Sequence, residues 1–270
     1  MLVITNPQNP KYTALGENHG KIEISGCFPG YGATLGNALR RVLLSSLSGA
    51  AATSMKLKGV SHEFSTIPGV LEDVVQIILH LKQVRFRLHG EGPVTLTLKA
   101  KGEGPVTASQ FKGSSEVEIV DGDQLIATLT DKKADFEMEI TVDQGLGYVP
   151  VEQRDREERE IGVIAVDSIY SPVRRVNYEI ENMRVGKRTD FDKITLEIVT
   201  DGSLTPEQAY EQSVAILVNQ FQALALIGAT PEVQEEVAPE APAEEEAPAK
   251  PKKVAKKKVA KTETPEDTKA

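Results

Sequence analysis

Several stretches of the chain alternate between apolar and polar side chains. Successive side chains of a β-strand point to opposite faces, so this pattern is typical of strands with one face in a core and the other in solvent. The alternating stretches are residues 21–25, 94–100, 136–142 and 194–199. Turn-forming residues separate such runs, at Gly102, Gly104-Pro105, Asp121-Gly122-Asp123 and Asp201-Gly202. We therefore expect a strand-rich fold.

Three segments show helical periodicity instead. The first runs from residue 34 to about 47, with Asn37 and Arg40 off its apolar side. The second follows Pro68-Gly69, and its apolar positions are Leu71, Val74, Val75, Ile78, Leu79 and Leu81. The third begins at Thr205, which can cap the helix, and Gln208 completes a capping box around Pro206.

The third helix carries a seam like that of a coiled coil. Its apolar residues follow steps of four, three, four and three, at Tyr210, Val214, Leu217, Phe221 and Leu224. A seam of about two heptads buries little area alone, so it must pack on the rest of the fold or on a second copy of the chain. The regular spacing favours self-contact, and hence a homodimer.

The composition changes abruptly after Gly228. Residues 229–270 consist mostly of alanine, proline, glutamate, lysine and valine, and they include no aromatic residue. Such a segment buries too little apolar area to offset its ordering entropy, so we expect a disordered tail. Two interpretations are open for its lysine repeat: weak, sequence-independent contact with DNA phosphates, or a solvated tail screened by the preceding glutamates. The charge balance favours the second, and the lysines concerned are Lys252, Lys253, Lys256, Lys257 and Lys258.

Composition also limits the location and chemistry of the protein. A single cysteine, Cys27, excludes an intramolecular disulfide and a multi-cysteine zinc site, and is more typical of a small buried apolar residue than of a nucleophile. No stretch approaches the roughly 20 apolar residues of a membrane span. The first residues lack the pattern of a secretory signal, so we expect a cytoplasmic protein. The net charge is -9 for the whole chain and -7 for residues 1–228, so the folded body is a poor candidate for binding nucleic acid alone.

The glycines before the first helix invite a phosphate-binding interpretation, which their spacing does not support. Gly30, Gly32 and Gly36 would fit a dinucleotide fingerprint only if the last glycine stood one position earlier, where the chain has Leu35. Tight-turn glycines that set the entry of the helix are the favoured explanation. The four histidines show no metal-ligand spacing.

Asp190 and Asp192 are the strongest metal candidates in the sequence. Carboxylates one residue apart on an extended segment point the same way and can share Mg²⁺. However, Arg188 and Lys193 flank them, which favours charge pairing, and no third aspartate follows, as it usually does in two-metal nucleotidyl-transfer sites. We therefore expect no metal site and no catalytic residues, and an interaction or scaffold role is favoured over an enzyme.

A series of motifs, in one order along the chain, resembles the bacterial RNA polymerase alpha subunit family. The resemblance covers about residues 15–226. The motifs are GYGATLGNALRRVLLSS at 30–46, GVSHEFST at 59–66, GVLED at 69–73, GPVTA at 104–108, GLGYVP at 145–150, VDSIYSPV at 166–173 and RTDFDK at 188–193.

The resemblance implies an α+β fold of two subdomains. Residues 1–48 and 172–228 would form a dimerisation subdomain, in which the first and last helices lie on a sheet. Residues 49–171 would form an inserted β-rich subdomain, and residues 229–270 the disordered tail. The residues implied in dimerisation are Leu35, Leu39 and Leu43 of the first helix together with the seam residues Tyr210, Val214, Leu217, Phe221 and Leu224.

The family also implies partners. Its alpha dimer nucleates assembly of the polymerase, in which one copy docks the beta subunit and the other docks beta-prime. Nucleotidyl transfer and its catalytic Mg²⁺ belong to those large subunits, so no cofactor is expected in this chain. Arg41 and Leu44 match positions that bind beta, and a planar guanidinium suits bidentate hydrogen bonds. Lys82 and Val166 match positions associated with beta-prime.

From the residues alone, these positions have plainer interpretations. Arg41 would be an exposed helix arginine, Lys82 a helix-end lysine and Val166 a valine in a strand core. Two departures from the family pattern stand out. Ala33 replaces a common histidine, and residues 229–270 are too short and too polar to form the family's usual C-terminal domain. The alternatives are a nucleotide- and Mg²⁺-binding enzyme, or a dimeric binding module with other partners.

Overall fold

The computed structural model describes residues 4–90, 92–113, 115–153 and 162–225, and it has the α+β architecture expected from the sequence. The α-helices are α1 (Tyr31–Ser45), α2 (Val74–Leu81) and α3 (Pro206–Ala225). The strands are β1 (Lys11–Gly16), β2 (His19–Cys27), β3 (Ser48–Leu57), β4 (Phe86–Leu88), β5 (Val94–Lys101), β6 (Gly104–Thr107), β7 (Phe111–Lys112), β8 (Val117–Ile119), β9 (Leu125–Leu129), β10 (Asp135–Leu146), β11 (Tyr148–Val149), β12 (Val163–Ala165), β13 (Ser168–Ile169), β14 (Val173–Val185) and β15 (Arg188–Thr200).

Both ends of the described chain contribute to one antiparallel sheet. Its strands lie in the order β1, β2, β15, β14, and α1 and α3 pack against it. We call these four strands and two helices the platform. Alternate side chains of β2 and β15 face the helices, as the period of two in their sequences predicts. The buried residues of the platform core are Ile22, Ile24, Cys27, Leu39, Leu43, Leu47, Val173, Val176, Ile194, Leu196, Ile198 and Ala209.

The segment between the two parts of the platform forms a second core, which we call the insert. Its main sheet has the order β7, β5, β10, β3, β4, β8, with β12 also paired to β3. Helix α2 lies by β9, and β9 pairs with β6. The largest fully buried side chains of this core are Phe86, Phe136, Met55, Ile77, Leu81, Leu98, Ile126, Met138 and Ile140.

The alternating stretches all lie within strands, namely β2, β5, β10 and β15. The prediction of a turn at Gly104-Pro105 is wrong, because these residues begin β6 and pair with Leu129 and Thr128 of β9. Proline fits there since it stands on a short strand with a single ladder partner.

Contact clustering divides the chain into two compact units. The first spans Met1–Ile227 and contains both cores. The second spans Gly228–Ala270 and lies outside the described residues. The predicted disordered tail and its lysines Lys252, Lys253, Lys256, Lys257 and Lys258 therefore also lie outside them.

Candidate interaction surfaces

Helix α1 begins earlier than its periodicity predicts, because a distant carboxylate caps it. The Oδ2 atom of Asp192, on β15, accepts hydrogen bonds from the backbone N–H groups of Gly30 and Gly32, both across 3.0 Å. A negative charge at this end of a helix satisfies its unpaired N–H groups and its dipole. The position at which a helix N-terminus would hold a phosphate is thus taken by the protein's own side chain.

The glycines of this motif allow the helix to approach the sheet closely. Gly30 has a φ of 84°, and so turns the chain into α1 as the sequence predicts. At Gly32 and Gly36, the absence of a side chain is what allows close packing. A Cβ on Gly32 would lie 2.8 Å from Oδ2 of Asp192, and one on Gly36 would lie 2.8 Å from Cδ2 of Tyr178. These distances favour the structural interpretation of the glycines over a phosphate loop.

The two aspartates of the RTDFDK motif do different things. Arg188 donates from Nε and Nη2 to the two carboxylate oxygens of Asp190, across 3.0 and 2.6 Å, and this pairing lowers the pKa of Asp190. Asp192 instead caps α1. The sequence suggested that Lys193 pairs with one of these aspartates. In the structure its ammonium instead pairs with the carboxylate of Glu23 on the neighbouring strand, at 3.1 Å. Within the described residues, no three His, Cys, Asp or Glu side chains come together as a metal site.

The residues matched to beta binding lie on the outer side of α1. Arg41 and Leu44 are both exposed, and the guanidinium of Arg41 forms no ion pair with a described residue. A groove of about 640 Å³ runs along this side of the helix to α3. It is lined by Ala33, Thr34, Asn37, Ala38, Arg41, Val42 and Leu217. The position where Ala33 replaces histidine is thus part of an open surface.

The predicted dimerisation residues divide into two groups. Leu39 and Leu43 are buried inside the single chain, packed with the sheet, and cannot touch a second copy directly. The strongest apolar stripe of α1 thus serves the core of its own chain, and the role of these two leucines in dimerisation stays a prediction. Partly buried against the same core are Leu35, Tyr210, Val214 and Leu217.

Helix α3 is covered at its beginning and bare at its end. The capping box forms as predicted: the N–H of Gln208 donates to Oγ1 of Thr205 across 3.2 Å, and the N–H of Thr205 donates to Oε1 of Gln208 across 3.3 Å. From Val218 onward, each described residue of the helix is exposed. Val218, Phe221 and Leu224 are 46%, 63% and 72% exposed. Exposed apolar faces are typical of interaction sites, and this one is a candidate.

The residues matched to beta-prime lie on the insert. The Nζ atom of Lys82, at the C-terminal end of α2, donates to Oδ2 of Asp167 across 2.8 Å. This bond lowers the pKa of Asp167 most, and a second hydrogen bond, from the N–H of Val151 to Oδ1 of Asp167 across 3.0 Å, lowers it further. Val166 is only 2% exposed, and its side chain lies in the core of the insert. Its sequence neighbour Asp167, which the sequence analysis did not single out, is the one that meets Lys82 at the surface.

The structure also exposes an apolar surface that the sequence analysis missed. Phe64 is 80% exposed, and Leu71, Val75 and Leu79 are exposed too. The N–H of Val74 donates to the carbonyl of Ser65, which places the end of the Phe64 loop at the start of α2. The signal was the spacing of Leu71, Val75 and Leu79, a second apolar stripe beside the one that faces the core.

Known proteins resemble this chain over most of its length. The model of the RNA polymerase Rpb3/RpoA insert domain family matches residues 55–171. The DNA-directed RNA polymerase subunit alpha of Moorella thermoacetica is 46% identical over 223 residues, which are 83% of this chain and 70% of that protein. The chain belongs to the RNA polymerase alpha subunit family.

Other members of the alpha subunit family are similarly related. Those of Carboxydothermus hydrogenoformans and Symbiobacterium thermophilum are 50% and 52% identical, over 77% and 76% of this chain and 66% and 65% of their own lengths. The chain thus spans about two thirds of the curated relatives that it matches. Family membership does not favour the nucleotide- and Mg²⁺-binding enzyme. Among the helices that the structure describes, none has the length and hydropathy needed to cross a membrane.

Proposed function

We propose that the chain is an RNA polymerase alpha subunit that forms a homodimer and scaffolds the assembly of the beta and beta-prime subunits. The observation that carries this proposal is the uncovered end of α3, with Val218, Phe221 and Leu224 in solvent. Covering such a face with another apolar surface would stabilise the helix, since burial contributes about 25 cal/mol per Å² of apolar area. The relatives are named alpha subunits of this polymerase.

A second copy of the chain is the occupant that best fits this face. The groove along α1 reaches α3 at Leu217, next to the bare end of the helix. In a twofold dimer, the apolar end of each α3 would enter the other copy's groove, because the same patch is used on both copies. Leu35, Tyr210, Val214 and Leu217 would border this contact, while Leu39 and Leu43 would support α1 from inside.

The large subunits would then meet different surfaces of the dimer. We assign beta to the exposed side chains of Arg41, which also lines the dimer groove, and Leu44. We assign beta-prime to Lys82 on the insert, with the side chain of Asp167 in place of that of Val166. The exposed surface of Phe64, Leu71, Val75 and Leu79 adds an apolar area on the insert that a large partner could bury.

The remaining expectations belong to the same proposal. Residues 1–48 and 172–228 would be the dimerisation subdomain and 49–171 the insert, which accords with the family match to 55–171. Nucleotidyl transfer and its Mg²⁺ would reside in the large subunits, in the cytoplasm. Any DNA contact of this chain by itself would be weak and sequence-independent, through its C-terminal lysines.

The test is purification of the tagged full chain from its native cell in mild salt, followed by mass spectrometry. We expect two very large chains to elute with a dimer of this chain. The Arg41→Ala variant should lose the beta chain but remain dimeric, whereas Arg40→Ala, one residue away on the same helix, should keep it. Recovery of a lone dimer, or equal loss of beta with both variants, would contradict the assembly role or the assignment of Arg41.

A further inference from the structure

The turn between β15 and α3 receives an arginine from the insert. Arg87, on β4, donates from Nε to the carbonyl of Ser203 across 3.0 Å and from Nη2 to the carbonyl of Gly202 across 3.1 Å. Its Nη1 donates to Oε2 of Glu118 on β8 across 2.8 Å. One guanidinium therefore joins two strands of the insert to the platform turn that leads into α3.

A second arginine, Arg85, stands immediately before β4 and reaches the same turn. Its Nε atom lies 3.5 Å from Oδ2 of Asp201. Both side chains are largely buried, at 16% and 4% exposure. The other oxygen of Asp201 accepts from the N–H and hydroxyl of Ser203, across 3.0 and 2.6 Å. The carboxylate that faces Arg85 thus also shapes the turn that Arg87 holds.

The turn lies flush against the insert. Gly202 has a φ of 96°, and a Cβ there would lie 3.0 Å from Cγ1 of Val120 and 3.2 Å from Nδ2 of Asn18. Only glycine combines this backbone conformation with so close an approach. The turn and the insert are therefore complementary in shape as well as in charge.

The covalent connections between platform and insert lie elsewhere, and they lie together. The chain enters the insert at the start of β3 and returns to the platform before β14. There is no room for a Cβ on Gly49 beside the carbonyl of Tyr170, and the hydroxyl of Ser171 donates to the carbonyl of Leu44. Because the two crossings lie side by side, contacts elsewhere must help to set the angle between platform and insert.

We propose that Arg85 and Arg87 are positioning residues that latch the insert to the 201–203 turn and so fix its orientation on the platform. We call these two arginines and this turn the latch. This inference rests on the proposed function: by fixing that orientation, the latch sets the distance between the Arg41–Leu44 surface and the Lys82–Asp167 surface. Because the turn leads directly into α3, the latch also ties the insert to the helix that dimerises.

A distance measurement tests the latch without reference to any partner. Spin labels are placed through Glu103→Cys on the insert and Lys187→Cys on the platform, two exposed turn positions, and pulsed paramagnetic resonance is recorded on the full chain diluted with unlabelled chain. Cys27 stays, since it is buried and burial raises the pKa of its thiol. We expect one narrow distance distribution in the parent, and a shifted or roughly twofold broader one with Arg87→Ala.

Two further variants define the role of Arg87. Arg87→Lys keeps the charge but loses the planar fork that holds two carbonyls and a carboxylate, so it should also broaden the distribution. Arg184→Ala is the matched control, because its Nε–H bond to the carbonyl of Gly186, at 2.9 Å, stays within one hairpin. This control should leave the distribution unchanged. Arg87 is partly exposed, so its variants should fold, and circular dichroism checks this. If Arg87→Ala does not fold, the distance distribution of Arg87→Lys tests the latch instead.

The outcomes separate the latch from the assembly role. A distribution in folded Arg87→Ala or Arg87→Lys that coincides with the parent's would overturn the latch. A broadened distribution with undiminished capture of the large chains would overturn its part in assembly, whereas capture reduced about tenfold would support it, as expected for loss of charged hydrogen bonds. Failure of the parent itself to capture large chains would refute the proposed function while leaving the distance result intact.

Discussion

The ammonium of Lys82 and the carboxylate of Asp167, 2.8 Å apart, join the end of α2 to the segment between β12 and β13. The pKa of Asp167 is lowered, chiefly by this bond and then by the N–H of Val151. A carboxyl with a lowered folded-state pKa contributes stability above its unfolded pKa, near 3.8, and loses that contribution as pH falls through the folded value.

Asp167→Asn should therefore lower the free energy of unfolding by about 1 kcal/mol at neutral pH, and the difference from the parent should shrink below about pH 4. Urea denaturation of both proteins from acid to neutral pH measures this. A difference that stays constant over that range would show that the charge of Asp167 contributes nothing.

Close packing at Gly36 gives a second prediction. A Cβ there would lie 2.8 Å from the ring of Tyr178, so Gly36→Ala must push α1 away from the sheet and should cost about 1–3 kcal/mol. Gly16→Ala is the control, because its Cβ would meet only Cβ of His19, at 3.7 Å, an ordinary contact. Thermal or urea unfolding compares the two, and equal stability of both variants would refute the packing argument.

The two aspartates of the RTDFDK motif should respond differently to the same change. Asp192→Asn removes the charge that caps α1 and should cost about 1–2 kcal/mol of unfolding free energy. Asp190→Asn, on the exposed pair with Arg188, should leave stability unchanged. Neither variant should alter the response of the melting temperature to Mg²⁺. A Mg²⁺-dependent stabilisation that both variants abolish would instead indicate a metal site.

The end of α3 predicts the oligomeric state. Phe221→Ser should weaken self-association by about 30-fold or more, since buried aromatic residues at an interface contribute about 2 kcal/mol or more. Sedimentation equilibrium measures the dissociation constant. Phe64→Ser is the matched control, because it removes a phenylalanine from the insert that is even more exposed, 80% against 63%. Should both variants dimerise like the parent, α3 would not be the dimer contact.

Local pattern was enough to predict the strands with strict alternation and the capped start of α3. It was not enough for the start of α1, because the cap comes from Asp192, far away in the sequence. The side of α1 that faces the core follows from its periodicity, whereas the role of Leu39 and Leu43 in dimerisation was implied only by the family resemblance. Amphipathic spacing indicates that one face of a helix is covered, but only the tertiary structure shows which surface covers it.

The interaction surfaces were predictable only in part. The match to known motifs pointed to Arg41, Leu44 and Lys82, and these are at least partly exposed. It could not indicate that Val166 is buried and Asp167 beside it is not, because exposure alternates along the chain there. The arginines of the latch gave no signal in the sequence, since Arg87 binds backbone carbonyls of a turn, which any residue supplies, and Arg85 meets Asp201, which is far away along the chain.

If a second copy of the chain covers the exposed end of α3, as proposed, the last turns of this helix are subject to mass action. Where apolar side chains find their cover only on a second molecule, the helical state of those turns gains free energy in proportion to the logarithm of protein concentration. Dilution should fray the helix from Ala225 toward Val218 while the capped beginning at Thr205 stays intact. The amount of chain present would then decide how much of the scaffold is ready to receive its partners.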